Sequence, residues 1–188
     1  MSNLTQVGWY WNRLRCMSVA EIMGRASSTA SRAMERRRAP TDVPLIRLDR
    51  PGARWLPREL PEDAGLTVQR ANELLAGQWR VLARDTEALG FPPEWNRNPD
   101  NGALLPLSYG KAMSFRNPAQ TGDIKYLWEP NRHLELVCLA QAWRITGDAR
   151  YLDGVGTLLD SWFVQCPHAL GANWSSALEA GIRLINWA

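Results

Sequence analysis

The side chains best suited to chemistry gather at the beginnings of helices. Trp128, Arg132 and Glu135 recur at i, i+4 and i+7, which puts them on one face of a predicted helix beside Glu129 and His133. The planar fork of Arg132 suits a carboxylate or sulfate. Glu129, three residues earlier, can equally hold it in a structural ion pair. Glu129 and Glu135 are also the two acids that a helical glycoside hydrolase would place across a cleft, although nothing in their spacing demands it. His133 is one of only two histidines, and a single helical histidine is more often a hydrogen-bonded core residue. His168 sits beside Pro167 in a predicted loop with no evident partner carboxylate. Asn173, at the start of the last helix, reads locally as an N-cap.

Ten tryptophans exceed what packing alone usually calls for. The indole N–H needs a partner when buried, so a surplus either lines grooves that bind rings, sugars included, or builds a Trp-rich core. Nucleophile elbow, P-loop, GxGxxG and HExxH motifs are all missing from the sequence. Cys16, Cys138 and Cys166 fit neither a zinc nor a CxxC pattern and argue against a disulfide framework. No metal or cofactor is expected.

The elements that must position these residues are mostly helices. Leu4, Val7, Trp11 and Leu14 recur at helical spacing. Ser18 with Glu21 has the spacing of a capping box and opens a second helix through about Arg38. Residues 1–40 carry seven arginines and two glutamates, a balance of +5 that leaves −2 for the remainder of a +3 chain. Basicity therefore belongs to an N-terminal arm (1–39) suited to weak contact with an anionic membrane or an acidic glycan, and nucleic acid is not an expected partner. Between 40 and 121 come a connector with prolines 40, 44, 51, 57 and 61 and a short strand at Leu45–Leu48. A helix follows, capped by Thr67 and closed by Gly77. After it, QWRVLAR reads as a strand with Trp79 and Val81 on one face, a helix continuing to Leu89 being the alternative. The long loop after it holds Trp95 and Tyr109 as candidates for binding.

From Gly122 to Ala188 the pattern is of helical hairpins. Leu136, Leu139, Ala140 and Trp143 mark one buried stripe, with Gly147 as C-cap and Asp148 as the next N-cap. Tyr151, Val155, Leu158, Leu159 and Trp162 mark the second. Trp174, Leu178, Ile182 and Ile185 mark a third, opened by Asn173 or Ser176 and carrying a Glu179→Arg183 pair. The predicted fold is mainly α, a layered array of antiparallel hairpins in an incomplete (α/α) arrangement. The start of the chain lacks a signal-peptide apolar core and no apolar run is long enough to span a bilayer, so a cytoplasmic location is expected.

A further layer comes from the order of short motifs. Gly122-Asp123-Ile124-Lys125 leads into Trp128-Glu129-Pro130-Asn131-Arg132, followed by Thr146-Gly147-Asp148, Tyr151, Trp162 and Pro167. Gly171-Ala172-Asn173-Trp174, Glu179-Ala180-Gly181-Ile182-Arg183 and Asn186-Trp187 complete the series. Trp9-Tyr10, Arg13-Leu14-Arg15, Met17 to Ile22, Ala76-Gly77 and Pro93-Glu94-Trp95 agree with it. On these residues the chain resembles the heparinase II/III family of polysaccharide lyases over its N-terminal helical domain.

The resemblance implies an incomplete (α/α) toroid followed by a β-sandwich, and cleavage of uronate-containing polysaccharides by β-elimination. Abstraction of the proton α to the carboxylate builds enolate charge that hydrogen bonds or cations must neutralise. The family gives base and acid roles to Tyr and His, and carboxylate neutralisation to an asparagine at the position of Asn173. Trp128, Glu129, Arg132 and Trp174 then become substrate-binding residues. The family's catalytic Tyr and His lie further along than Asn173, whereas this chain continues only fifteen residues beyond it. Neither His133 nor His168 matches the catalytic histidine. The chain is therefore expected to be the substrate-binding part of a lyase, inactive alone and prone to self-association through an open toroid edge. Its substrate class would be an acidic bacterial cell-surface glycan. The alternative is a non-catalytic module that binds acidic glycan or serves as a scaffold.

Overall fold

The structure, a computed structural model, describes residues 3–37, 63–82, 84–113 and 121–188. The Pro-rich connector and the Leu45–Leu48 strand lie outside the described residues. The chain divides into two compact units, residues 1–42 and 43–188. Among the described residues the fold is mainly helical, and no helix is long and apolar enough to cross a membrane.

The first unit holds α1 (Asn3–Arg15) and α2 (Val19–Arg37). Ser18 opens α2 as its spacing predicts, its hydroxyl oxygen accepting from the Glu21 N–H at 3.2 Å. No residue of α2 is buried.

In the second unit, α3 spans Ala64–Leu75 and is capped by Asp63, not Thr67. The Asp63 carboxylate accepts from the Leu66 N–H at 3.0 Å, while the Thr67 hydroxyl, one turn in, donates back to the Asp63 carbonyl. A carboxylate at the N-cap satisfies an orphan N–H and also meets the positive end of the helix. Gly77 turns the chain at φ +81°, and a Cβ there would stand 3.0 Å from the Gly90 Cα. The chain then enters β1 (Gln78–Val81), antiparallel to β2 (Arg84–Ala88), so the strand prevails over the helical alternative. Trp79 and Val81 are both buried, as the alternation requires.

The helix expected to carry Trp128, Arg132 and Glu135 on one face does not form. Instead α4 (Ile124–Trp128) gives way to a 3-10 turn at Pro130–Arg132, and His133 takes a left-handed conformation at φ 64° before α5 (Leu134–Thr146) begins. Pro130, two residues after Trp128, has no N–H to donate to the preceding turn, so the chain re-aims there. The break sends Glu135 into the interior. Gly147, at φ +74°, ends α5. The next helix, α6 (Arg150–Gln165), starts one residue later than an Asp148 cap would give, although the Asp148 carboxylate still accepts from the Arg150 N–H at 3.0 Å. Tyr151, Leu158 and Trp162 are buried along α6, and Leu136 and Leu139 along α5. Trp143, predicted in the α5 stripe, is 39% exposed and Ala142 takes the inward place. These residues share one core with Ala71 and Leu74 of α3 and with Trp79.

The last helix, α7 (Ala177–Trp187), follows Ser176, with Asn173 in a separate 3-10 turn at Ala172–Trp174. Its predicted apolar stripe is inward only in part: Trp174 and Ile182 are half-buried, but Leu178 and Ile185 are each 68% exposed, and the buried residues of the helix are Glu179 and Arg183. The reason is the set of buried backbone carbonyls and charges that this helix must satisfy.

Candidate functional site

Three segments far apart in sequence meet in the second unit: the loop around Trp95, the break at Trp128–His133, and the Gly171–Trp174 turn with α7. Asn131 joins them. Its amide donates to the carbonyls of Trp95 (3.0 Å) and Leu127 (2.8 Å), and its side-chain oxygen accepts from the Trp162 indole N–H at 2.8 Å. Every polar atom of this buried side chain is thus used, which fixes the turn geometrically.

Arg183 crosses the same region. Its guanidinium donates to the carbonyls of Asn173 (2.6 Å) and Asn131 (3.3 Å), and stands 5.2 Å from the Trp162 ring and 5.4 Å from the Trp174 ring. Burial holds its pKa below the ordinary value, yet a guanidinium keeps its proton at neutral pH. The expected Glu179→Arg183 hydrogen-bonded pair is not made. Glu179, itself buried, instead receives Arg132 bidentately at 2.8 and 3.0 Å, and Glu129 takes the third bond from Arg132. That hydrogen bonding to Glu179 raises the pKa of Arg132. Two cations and two carboxylates so form one compact, neutral set, with Arg132 and Glu129 only partly covered.

The residues predicted to contact substrate are brought together. The Trp128 indole donates to the Ala172 carbonyl at 3.1 Å, next to Asn173, and Asn186 donates to the carbonyl of Arg132 at 2.7 Å. Trp174 is half-buried, its indole N–H on the Cys166 carbonyl, with the exposed His168 ring 4.8 Å away. Asn173 lies beneath, completely buried. Its amide nitrogen faces Cys166 Sγ at 3.1 Å, Asn96 Oδ1 at 3.4 Å and the Trp95 carbonyl at 3.5 Å, and its Oδ1 is buried without a hydrogen-bond partner. Burial pushes the Cys166 thiol up to about 12, so the sulfur is protonated at neutral pH.

His133 is a core residue. Its ring stacks on Trp187 and meets Trp95 and Trp162 edge-on. Nδ1 accepts from the Trp187 indole at 2.8 Å, so the single proton sits on Nε2, which has no partner. Burial, and secondarily Arg183, depresses its pKa to about 3. With Nδ1 occupied and Nε2 protonated, His133 cannot take a proton from a substrate. Glu135 is buried with Oε2 unpartnered, and burial raises its pKa to about 7.

Trp95, expected in a binding loop, is a core residue, 2% exposed, its indole donating to Ser161 at 3.2 Å. Tyr109 is half-buried and its backbone bridges to Leu170, tying that loop to the Asn173 turn. A cleft of about 270 Å³ opens between the 93–99 loop and the Leu127–Asn131 turn, with Glu94, Arg97 and Asn131 on its walls. It adjoins the polar set through Asn131 and does not reach Asn173. Among the described residues no three His, Cys, Asp or Glu side chains are grouped to hold a metal ion. Asn131 and the inward turning of Glu179 and Arg183 were not foreseen as a site. The available signal was the spacing of Glu179, Arg183 and Asn186 at i, i+4 and i+7, a polar stripe running along an otherwise apolar helix. No family model, curated protein or solved structure matches this chain.

Proposed function

We propose that the second unit is the substrate-binding helical part of a polysaccharide lyase acting on uronate-containing acidic glycans by β-elimination, with α5 and α6 forming the first hairpin of an (α/α) toroid. The observation carrying this reading is convergence. Trp128, Glu129, Arg132, Asn173 and Trp174, up to 46 positions apart, meet in one hydrogen-bonded cluster. In this reading Arg132 exchanges its contact with the partly exposed Glu129 for a substrate carboxylate while Glu179 keeps it aimed. Trp128 and Trp174 supply ring faces for sugars. Asn173 neutralises the uronate carboxylate only after the Gly171–Trp174 turn opens, because its amide is buried as the chain stands.

The cluster offers no free base: the accepting nitrogen of His133 is taken by the Trp187 indole, and the carboxylates of Glu129 and Glu179 are both engaged by Arg132. That favours a second reading, a module that binds acidic glycan without cleaving it. Calorimetric titration of the 188-residue chain with a polyuronate tests both. Binding at low salt is expected, weakened about tenfold or more by Arg132→Gln, since a charge-assisted pair is lost. Failure to bind at low salt would sink both readings. In the lyase reading this chain alone releases no unsaturated uronate, and Asn173→Ala weakens its binding of the polyuronate. Binding unaffected by Asn173→Ala, with no product, would select the module.

A further inference from the structure

The N-terminal unit is used by neither reading. Along α2, Val19, Ile22, Met23, Ala26, Ala30, Ala33 and Met34 fall at i, i+3, i+4, i+7, i+11, i+14 and i+15. They make a single apolar stripe roughly a third of the helix circumference wide. Arg25, Arg32 and Arg36 form a second row beside it, Arg25 and Arg36 each three residues after a stripe residue. None of this stripe is covered. Ile22 is the most shielded of its large side chains and is still 38% exposed. In α1, Trp9, Tyr10 and Trp11 are each more than half exposed, with the Arg13 guanidinium 4.9 Å over the Trp9 ring. An uncovered apolar stripe, a flanking arginine row and an aromatic triplet occur together on one small helical unit.

Three kinds of occupant present themselves, and the residues separate them. A free polyanion such as an acidic glycan would pair with the arginines but leave the apolar stripe in water. A second copy of the arm would cover the stripe but bring two +5 segments together. The stripe is also poor in the branched residues that knobs-into-holes seams require, three of its seven positions being alanine. An anionic bilayer surface satisfies all three features at once. The stripe sinks to the level of the acyl chains, the arginines meet lipid phosphates, and Trp and Tyr take the headgroup boundary where their amphipathic rings are favoured. We propose that α1 and α2 are an interfacial anchor that lays the protein on an anionic lipid surface without crossing it.

The test is co-sedimentation of the full chain with vesicles of equal parts phosphatidylcholine and phosphatidylglycerol, against phosphatidylcholine alone. Binding is expected to the first only, with a blue shift of tryptophan emission that Trp9→Phe with Trp11→Phe diminishes. It should weaken as salt screens the charges. Replacing Arg25, Arg32 and Arg36 by Gln keeps helix propensity and should reduce partitioning on the order of a hundredfold, at about fivefold per arginine. Met23→Glu with Met34→Glu should abolish it, with far-ultraviolet circular dichroism confirming that the helices persist. Equal binding to neutral vesicles, or binding unchanged in both sets of variants, would overturn the proposal. So would a chain that dimerises through the arm, or binds soluble polyanion through it, and ignores the vesicles.

Discussion

The two buried titratable groups near the break before α5 oppose each other, and removing one should expose the other. The carboxyl of Glu135 rises from 4.5 to about 7 on folding, and His133 falls from 6.5 to about 3, each chiefly through burial. Neither is a cause of the other's shift, so they titrate independently. A carboxyl raised in the folded state contributes stability that is complete below its unfolded pKa and lost as pH climbs through the folded one. For Glu135 that window runs from 4.5 to about 7 and is worth about 3 kcal/mol. For the histidine the sense is reversed, because only the unfolded chain gains the proton as pH falls through 6.5. Between 6.5 and 4.5 the unfolded state holds one extra proton on His133 and lacks one on Glu135, and the pair contributes almost no slope. In Glu135→Gln the compensation is gone. Its stability relative to wild type should fall by about 3 kcal/mol as pH drops from above 7 to below 4.5. Urea unfolding followed by tryptophan emission, across a buffer series, reads this difference directly, and other carboxylates cancel in the comparison. His133→Asn, which tolerates the left-handed backbone, should give the opposite trend. Parallel curves for wild type and Glu135→Gln would refute the argument that burial holds the proton.

Other consequences can be measured with the same protein. Asn131→Ala strands the Trp162 indole and removes donors to two carbonyls, so a loss of about 2–4 kcal/mol in urea unfolding is expected; a loss under about 1 kcal/mol would show that the junction relaxes freely. A Cβ at Gly110 would stand 2.7 Å from the Gly171 carbonyl oxygen and 2.9 Å from the Trp174 carbonyl carbon. Gly110→Ala should therefore cost about 1–3 kcal/mol and shift Trp174 emission. Gly156→Ala, with nothing in reach of the added methyl, should be neutral or stabilising by up to about 1 kcal/mol. Leu178 and Ile185, both exposed on α7, should drive concentration-dependent association in light scattering. Leu178→Glu with Ile185→Glu should abolish it; a clean monomer of the unmodified chain at high concentration would remove the premise.

The mainly helical fold, the Gly147 stop and the Trp79/Val81 strand face were legible because periodicity and turn chemistry are local and tertiary packing agreed with them. The errors fall where a local pattern met a non-local polar demand. Spacing placed Trp128, Arg132 and Glu135 on one face, but spacing assumes an unbroken helix, and Pro130 with the left-handed His133 breaks it. The more instructive error is α7. Its apolar residues form a regular stripe, and burying them would stabilise the chain by the usual area argument. The neighbouring polar face wins because the carbonyls of Asn131, Arg132 and Asn173 point there and need donors, which Arg183 and Asn186 supply. Leaving several buried carbonyls unpaired costs about 1–3 kcal/mol each, more than the exposed Leu178 and Ile185 forgo. Those carbonyls are unpaired in the first place because the chain there runs in 3-10 turns instead of full helices. The irregular turns that gather the candidate site thus also dictate which face of α7 turns inward, so the site and the packing of the last helix have one physical origin.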